Sequence, residues 1–153
     1  MMMTIVQLQP SDTHHTPAWA HMRAALWPEE DAAALRVEAD ELLASGQCTV
    51  LLALQNDRAI GFIELTLRSH VEGCDSSPAG YIEGWYVAPD HRGQGVGRAL
   101  VHAAERWCRE RGCTHLGSDT EVSNVLSQAA HRALGFSELP PIICFYKSLA
   151  SPE

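Results

Sequence analysis

Three glycines separated by single residues, Gly93-Gln94-Gly95-Val96-Gly97, follow Arg92 and open a helical pattern. Just before them, an extended apolar run from Tyr81 to Val87 ends in a turn at Pro89-Asp90. Glycines at the mouth of a helix let backbone N–H groups converge without Cβ obstruction, beside the positive end of the helix dipole. That arrangement suits a pyrophosphate, and spacing narrows which one. A nucleoside-triphosphate P-loop requires Gly-Lys-[Ser/Thr], whereas Gly97 is followed by Arg98-Ala99. A dinucleotide fingerprint requires G-x-G-x-x-G in the first strand-to-helix turn of its domain, whereas this loop reads G-x-G-x-G past the middle of the chain. What remains is R-x-x-G-x-G after a Val-x-Pro strand end, with a glycine-rich surface turn as the plain alternative.

The elements that must position this loop follow from periodicity. Thr4 to Leu8 alternates as a strand. A helix runs through Trp19 to Trp27 and stops at Pro28; a second spans about Glu29 to Ser45, with Gly46 as its C-cap. Cys48 to Gln55 and Ala59 to Arg68 are strands joined by a hairpin turn at Asn56-Asp57. Ser69 to Ala79 is a loop, and Gly80 to Val87 a strand leading into the glycines. A helix from about Gly95 to Arg111 carries the stripe Val96, Leu100, Ala103, Ala104, Trp107 and Cys108. Thr114 to Ser118 is a short strand, Ser123-Asn124 opens a helix ending at Gly135-Phe136, and Ile142 to Leu149 is the last strand. The order predicts an α/β fold, a mixed sheet with flanking helices, in one domain over 1–153.

Composition limits the partners. The net charge is −8, from 19 acidic and 11 basic residues, with no basic patch to displace counterions, so nucleic acid is not expected. An acidic chain permits a cationic substrate. No apolar run approaches the roughly 20 residues of a spanning helix, and no signal peptide is evident at Met1-Met2-Met3, so a membrane partner is not expected. Cys48, Cys74, Cys108, Cys113 and Cys144 are odd in number and never in C-x-x-C spacing, as in a reduced cytoplasmic protein. His14, His15, His21, His91, His102 and His115 show no metal-ligand spacing, and no metal is expected.

The Arg92–Gly97 loop with its preceding strand resembles the acetyl-coenzyme A loop of the GCN5-related N-acetyltransferases (the GNAT, or acyl-CoA N-acyltransferase, fold). Within that superfamily the chain is similar to the aminoglycoside 6′-N-acetyltransferases, resistance enzymes that acetylate antibiotics. The likeness rests on Leu26-Trp27-Pro28, Gly73-Cys74-Asp75-Ser76-Ser77-Pro78, Glu83-Gly84, Ser118-Asp119-Thr120 and His131-Arg132-Ala133-Leu134-Gly135-Phe136. It implies a mostly antiparallel central sheet, acetyl-coenzyme A as donor, a cationic small-molecule acceptor in an acidic pocket, and usually a homodimer. A polyamine, a protein lysine or an N-terminus as acceptor, and a non-catalytic acyl-CoA sensor, are the rival readings.

Acetyl transfer needs a neutral amine, yet amines of pKa roughly 8 to 10 arrive protonated. Carboxylates must attract the cation and one must accept its proton, directly or through water. In this fold Asp119 and Glu83 stand at facing ends of neighbouring strands. Asp119 is the anchor or general base and Glu83 its partner; otherwise Asp119 is a helix N-cap and Glu83 an outward strand residue. Glu72 and Asp75 add negative charge over the cleft or are solvated loop acids. Trp27 and His70 wall the sugar rings, or Trp27 packs in the core; His70 stands where related enzymes often carry tyrosine. The backbone of Trp85 and Val87 pairs with the pantetheine arm, and the Val87 N–H holds the oxyanion. Gln94, Gly95, Gly97, Arg98 and Ala99 give N–H groups to the pyrophosphate; Arg92 opens the motif or is simply exposed. Asn124 bonds the pantetheine arm or caps its helix. His131, seven residues later, protonates the thiolate or packs in its helix, and Tyr146 is a second conceivable donor.

Overall fold

A computed structural model describes residues 2–75 and 77–151. Five strands order as β1-β2-β3-β4-β5. They are β1 (Met3–Gln7), β2 (Thr49–Gln55), β3 (Arg58–Arg68), β4 (Ala79–Val87) and β5 (Leu116–Gly117), and the helices are α1 (Thr16–Leu26), α2 (Ala32–Ser45), α3 (Val96–Glu110) and α4 (Val125–Ala133). The first four strands pair antiparallel. β5 runs parallel to β4 through two register positions, Gly80↔Leu116 and Tyr81↔Gly117. This is the mixed, mostly antiparallel α/β sheet expected from the sequence.

The chain divides into two compact units, 1–119 and 120–153. In the first, side chains alternate across the sheet. Val50, Leu52, Leu54 and Phe62 pack with Trp19 and Met22 of α1 and Ala39 and Leu43 of α2. Gly61, one position along from Phe62, faces Val96 and Leu100 of α3 instead, so α1/α2 and α3 cover opposite faces. The expected stripe of α3 is buried at Val96, Leu100, Ala103, Ala104, Trp107 and Cys108. A buried ion pair, Arg23 with Glu64, interrupts the first core. Glu64 of β3, 2% exposed, accepts from Arg23 Nε at 2.6 Å and from Trp19 Nε1 at 3.0 Å. Arg23 also donates to the Leu35 carbonyl at 3.1 Å, which ties α1, α2 and β3 to one another.

In the second unit Asn124 caps α4, its Oδ1 accepting from Ser127 N at 3.1 Å. The strand expected over Ile142 to Leu149 is not formed. Alternation specifies a strand only where a neighbour completes its ladder, and here the backbone finds none among the described residues. Ile142, Ile143, Phe145, Tyr146 and Leu149 are 68–96% exposed.

Candidate active site

β5 leaves β4 after Tyr81, and the rest of β4 has no strand on that side among the described residues. Register decides what this free edge presents. Ala88 N donates to Ile60 O at 2.8 Å, so Ala88–Ile60 and Tyr86–Phe62 are the hydrogen-bonded pairs with β3. Trp85 and Val87 fall between them, and their N–H and C=O groups point to the open edge. Arg92 Nε takes the Val87 carbonyl at 2.8 Å, so its side chain staples the loop to the strand end, leaving the Val87 N–H turned outward.

The loop is built for backbone donors. Gly95, the N-cap of α3, sits at φ 85°, a left-handed conformation that side chains resist. Gly97 lies against the Trp85 ring, where a Cβ would come 3.2 Å from Cζ2. Gln94 folds back, Nε2 donating to the Asp90 carbonyl at 3.1 Å. Ala99 N is already used, bonded to Gly95 O at 3.0 Å, which removes Ala99 from the free donors expected. The N–H groups of Gly97 and Arg98 belong to the first turn, which has no intrahelical acceptors.

A bulge re-aims Glu83. Leu65 pairs with Ile82 and Glu64 with Gly84, so Glu83 is the extra residue of β4. Its Oε1 accepts from Thr66 Oγ1 at 2.7 Å and from Arg68 Nε at 3.0 Å, while Arg68 Nη2 reaches both carboxylate oxygens at 2.8 Å. Arg68 also lies 3.5 Å from the centre of the Tyr81 ring. The Tyr81 hydroxyl donates to Asp119 Oδ2. Burial, then the Asp119 carboxylate, holds the Tyr81 phenol well above its ordinary range, so it stays a donor. Asp119 itself is exposed. Thr66, Arg68 and Tyr81 were not singled out from the sequence; a strand pattern shows which residues are apolar, not which polar neighbour a bulge brings into reach.

Trp27 is half-buried, packed over Gly84 where a Cβ would meet its Cη2 at 3.0 Å, with the Arg23 guanidinium 4.9 Å from its ring. His70, Glu72 and Asp75 lie in the exposed loop, His70 Nε2 standing 3.7 Å from Glu72 Oε1. Ser76, part of the expected loop pattern, lies outside the described residues. Asn124 and His131 belong to the second unit. His131 Nδ1 is 2.7 Å from the Ser127 carbonyl one turn back in α4, and its ring meets Phe136, beyond the helix end, edge-on at 5.1 Å. Buried thiols offer no nucleophile: burial pushes Cys48 up to about 12 and Cys108 up to about 11.

Residues 15–136 match the acetyltransferase (GNAT) family. The chain belongs to that family, and it is an acetyltransferase. An aminoglycoside N(6′)-acetyltransferase type 1 of Klebsiella aerogenes is 44% identical over 147 residues, 93% of this chain and 96% of that protein. Another, of Stenotrophomonas maltophilia, is 44% identical over 144 residues, 93% and 91% of the two chains. Among solved structures, AAC(6′)-Iy in complex with the bisubstrate analogue CoA-S-monomethyl-acetylneamine superposes with a TM-score of 0.88 at 35% identity, covering 97% of this chain and 99% of that one. In this GNAT chain the open edge of β4 and the glycine loop are the features on which an acyl-CoA can lie, and the carboxylates of Glu83 and Asp119 flank Tyr81 on the neighbouring stretch.

Proposed function

We propose that this chain transfers the acetyl group of acetyl-coenzyme A directly to the 6′-amine of an aminoglycoside, so conferring resistance. The observation that carries the reading is the exposed Asp119 carboxylate, fixed by the buried Tyr81 hydroxyl on the strand that runs on to the glycine loop. In the transfer, the amine nitrogen attacks the thioester carbonyl, the C–S bond breaks, and the amine proton passes to Asp119 directly or through water. The outward Val87 N–H holds the oxyanion. Trp85 and Val87 pair with the pantetheine arm, and the amides of Gln94, Gly95, Gly97 and Arg98 take the pyrophosphate. Glu83, Glu72 and Asp75 draw the polycation in, with Trp27 and His70 along the sugar rings. His131 is the donor to the thiolate and Asn124 a contact of the pantetheine arm. The family match runs through residue 136, which supports one acetyltransferase domain over 1–153. A cytoplasmic location is supported by five cysteines that are all free thiols.

We also infer a homodimer in which 142–149 pairs with a second copy. Its support is the exposure of Phe145 and Tyr146, 90% and 96%, in a segment with a strand's alternation. Sedimentation of Phe145→Asp should show a monomer where the native chain shows a dimer.

A thiol-release assay with acetyl-coenzyme A against aminoglycosides with and without a 6′-amine, polyamines and basic peptides tests the main proposal. Turnover is expected only with a 6′-amine, and Asp119→Ala should abolish it while coenzyme A binding persists. Turnover confined to peptides or polyamines overturns the assignment of the acceptor.

A further inference from the structure

The turn that precedes α1 meets the tip of the β2–β3 hairpin. His14 Nε2 lies 3.0 Å from Asp57 Oδ2, and His15 Nε2 lies 3.1 Å from Asp57 Oδ1. The two imidazole nitrogens and the carboxylate lie within 4.8 Å of one another. Asp12 builds the turn: its Oδ1 accepts from the backbone N–H of His14 at 3.1 Å and of His15 at 2.9 Å, and its Oδ2 sits 2.7 Å from His15 Nδ1. Asn56 and Asp57 hold the hairpin turn at φ 50° and 60°, so both sides of the junction are fixed by backbone geometry. A cavity of about 460 Å³ adjoins it, lined by His14, His15, His21, Asp57 and Tyr86 among others.

We propose that His14, His15 and Asp57 bind a divalent transition metal of the zinc class, with Asp12 orienting His15 and water completing the shell. Two features suit this cluster to an ion. First, Asp12 Oδ2 stands 2.7 Å from His15 Nδ1 and so can hold the tautomer that carries its proton there. With Nδ1–H donated to Asp12, the Nε2 lone pair would face an ion beside Asp57, the usual carboxylate–histidine–metal arrangement. Second, zinc–nitrogen bonds of about 2.0–2.1 Å put neighbouring ligand atoms of a tetrahedron about 3.3 Å apart. Asp57 offers a different oxygen to each imidazole, Oδ2 to His14 at 3.0 Å and Oδ1 to His15 at 3.1 Å, each a few tenths of an ångström inside that edge. His15 is 13% exposed and held by Asp12, while His14 and Asp57 are 71% and 70% exposed, so the exposed ligands have room to turn toward the buried one. Two imidazoles and one carboxylate suit Zn²⁺, with the remaining positions left to water. Bound there, the ion would clamp the hairpin tip to the start of α1. Spacing along the chain hides the site, because Asp57 lies 42 residues from His15.

The test uses the full-length, untagged chain stripped with chelator, titrated calorimetrically with zinc chloride and followed by the absorption of the cobalt-substituted protein. One ion per chain is expected, with a cobalt spectrum free of thiolate charge transfer. Asp57→Asn, which keeps a residue tolerant of positive φ, and His14→Ala should each weaken zinc binding by about tenfold or more, and Asp12→Asn by about 10- to 100-fold. Zinc should raise the Tm of the native chain and leave that of Asp57→Asn unmoved. Equal affinity in the native chain and these variants overturns the proposal, as does a thiolate band lost in Cys144→Ser.

Discussion

Replacing Tyr81 by Phe removes one oxygen and leaves the ring, so it isolates the hydroxyl that holds Asp119. The ring is 8% exposed and stays packed against Val71 and Ala79. A hydrogen bond to a charged acceptor contributes about 1.5–3 kcal/mol. Asp119 is open to water and can rehydrate, so the lower end applies. If that energy fixes the carboxylate where the amine proton must go, its loss costs about tenfold in kcat/KM, at 1.36 kcal/mol per decade. Removing the base itself by Asp119→Asn should cost about 10²- to 10⁴-fold. The deciding measurement is the double variant. If Tyr81 acts only through Asp119, Tyr81→Phe added to Asp119→Asn should cost nothing more. Coenzyme A affinity, read by calorimetry, should be unchanged in all three. The reasoning fails if Tyr81→Phe turns over at the native rate, or if its loss persists undiminished in the Asp119→Asn background.

Three further perturbations read the scaffold. Gly80→Ala places a Cβ 2.2 Å from Cys108 Sγ; such overpacking costs about 1–3 kcal/mol and a Tm drop of about 2–4 °C per kcal/mol. Adding Cys108→Ala should return most of it, and no return would show that the strand, not the sulfur, resists. Arg23→Met leaves the Glu64 carboxylate buried without its cation and should cost about 3–5 kcal/mol in urea unfolding, whereas joining it to Glu64→Gln should recover much of the loss. Gly95→Ala meets no atom within 4 Å but must hold φ at 85°, a strain of about 1–2 kcal/mol. Coenzyme A binding should weaken about tenfold, with the acceptor KM unaltered.

Much of this was legible because it rests on local chemistry. The turn at Asn56-Asp57, the C-cap at Gly46 and the stripe of α3 all declare themselves through period and turn residues, and each is found in place. The glycine loop is equally local, since its donors are backbone groups of consecutive residues. What stayed hidden is what register and distance create. Glu64 reads as one more strand residue until β3 is laid against Trp19 and Arg23. Arg68 and Thr66 join Glu83 only because a bulge inserts an extra residue into β4. The stretch 142–149 has a strand's alternation but pairs with no strand among the described residues, so periodicity alone overstated it.

The bulge also divides the labour between the two carboxylates. Glu83 faces a guanidinium through both oxygens, with side chains 32% and 42% exposed, so its charge is largely met before any substrate arrives. A cationic amine approaching Glu83 must share it with Arg68, whose guanidinium already reaches both carboxylate oxygens. That suits a group which greets a polycation without holding it. Asp119 differs. Its described partner is a neutral phenol that donates one hydrogen bond and brings no positive charge. No cation among its described partners competes with an incoming ammonium, and a phenol held as a donor cannot compete for the incoming proton. On these contacts the proposed reading gives capture of the polycation to Glu83 and acceptance of the proton to Asp119.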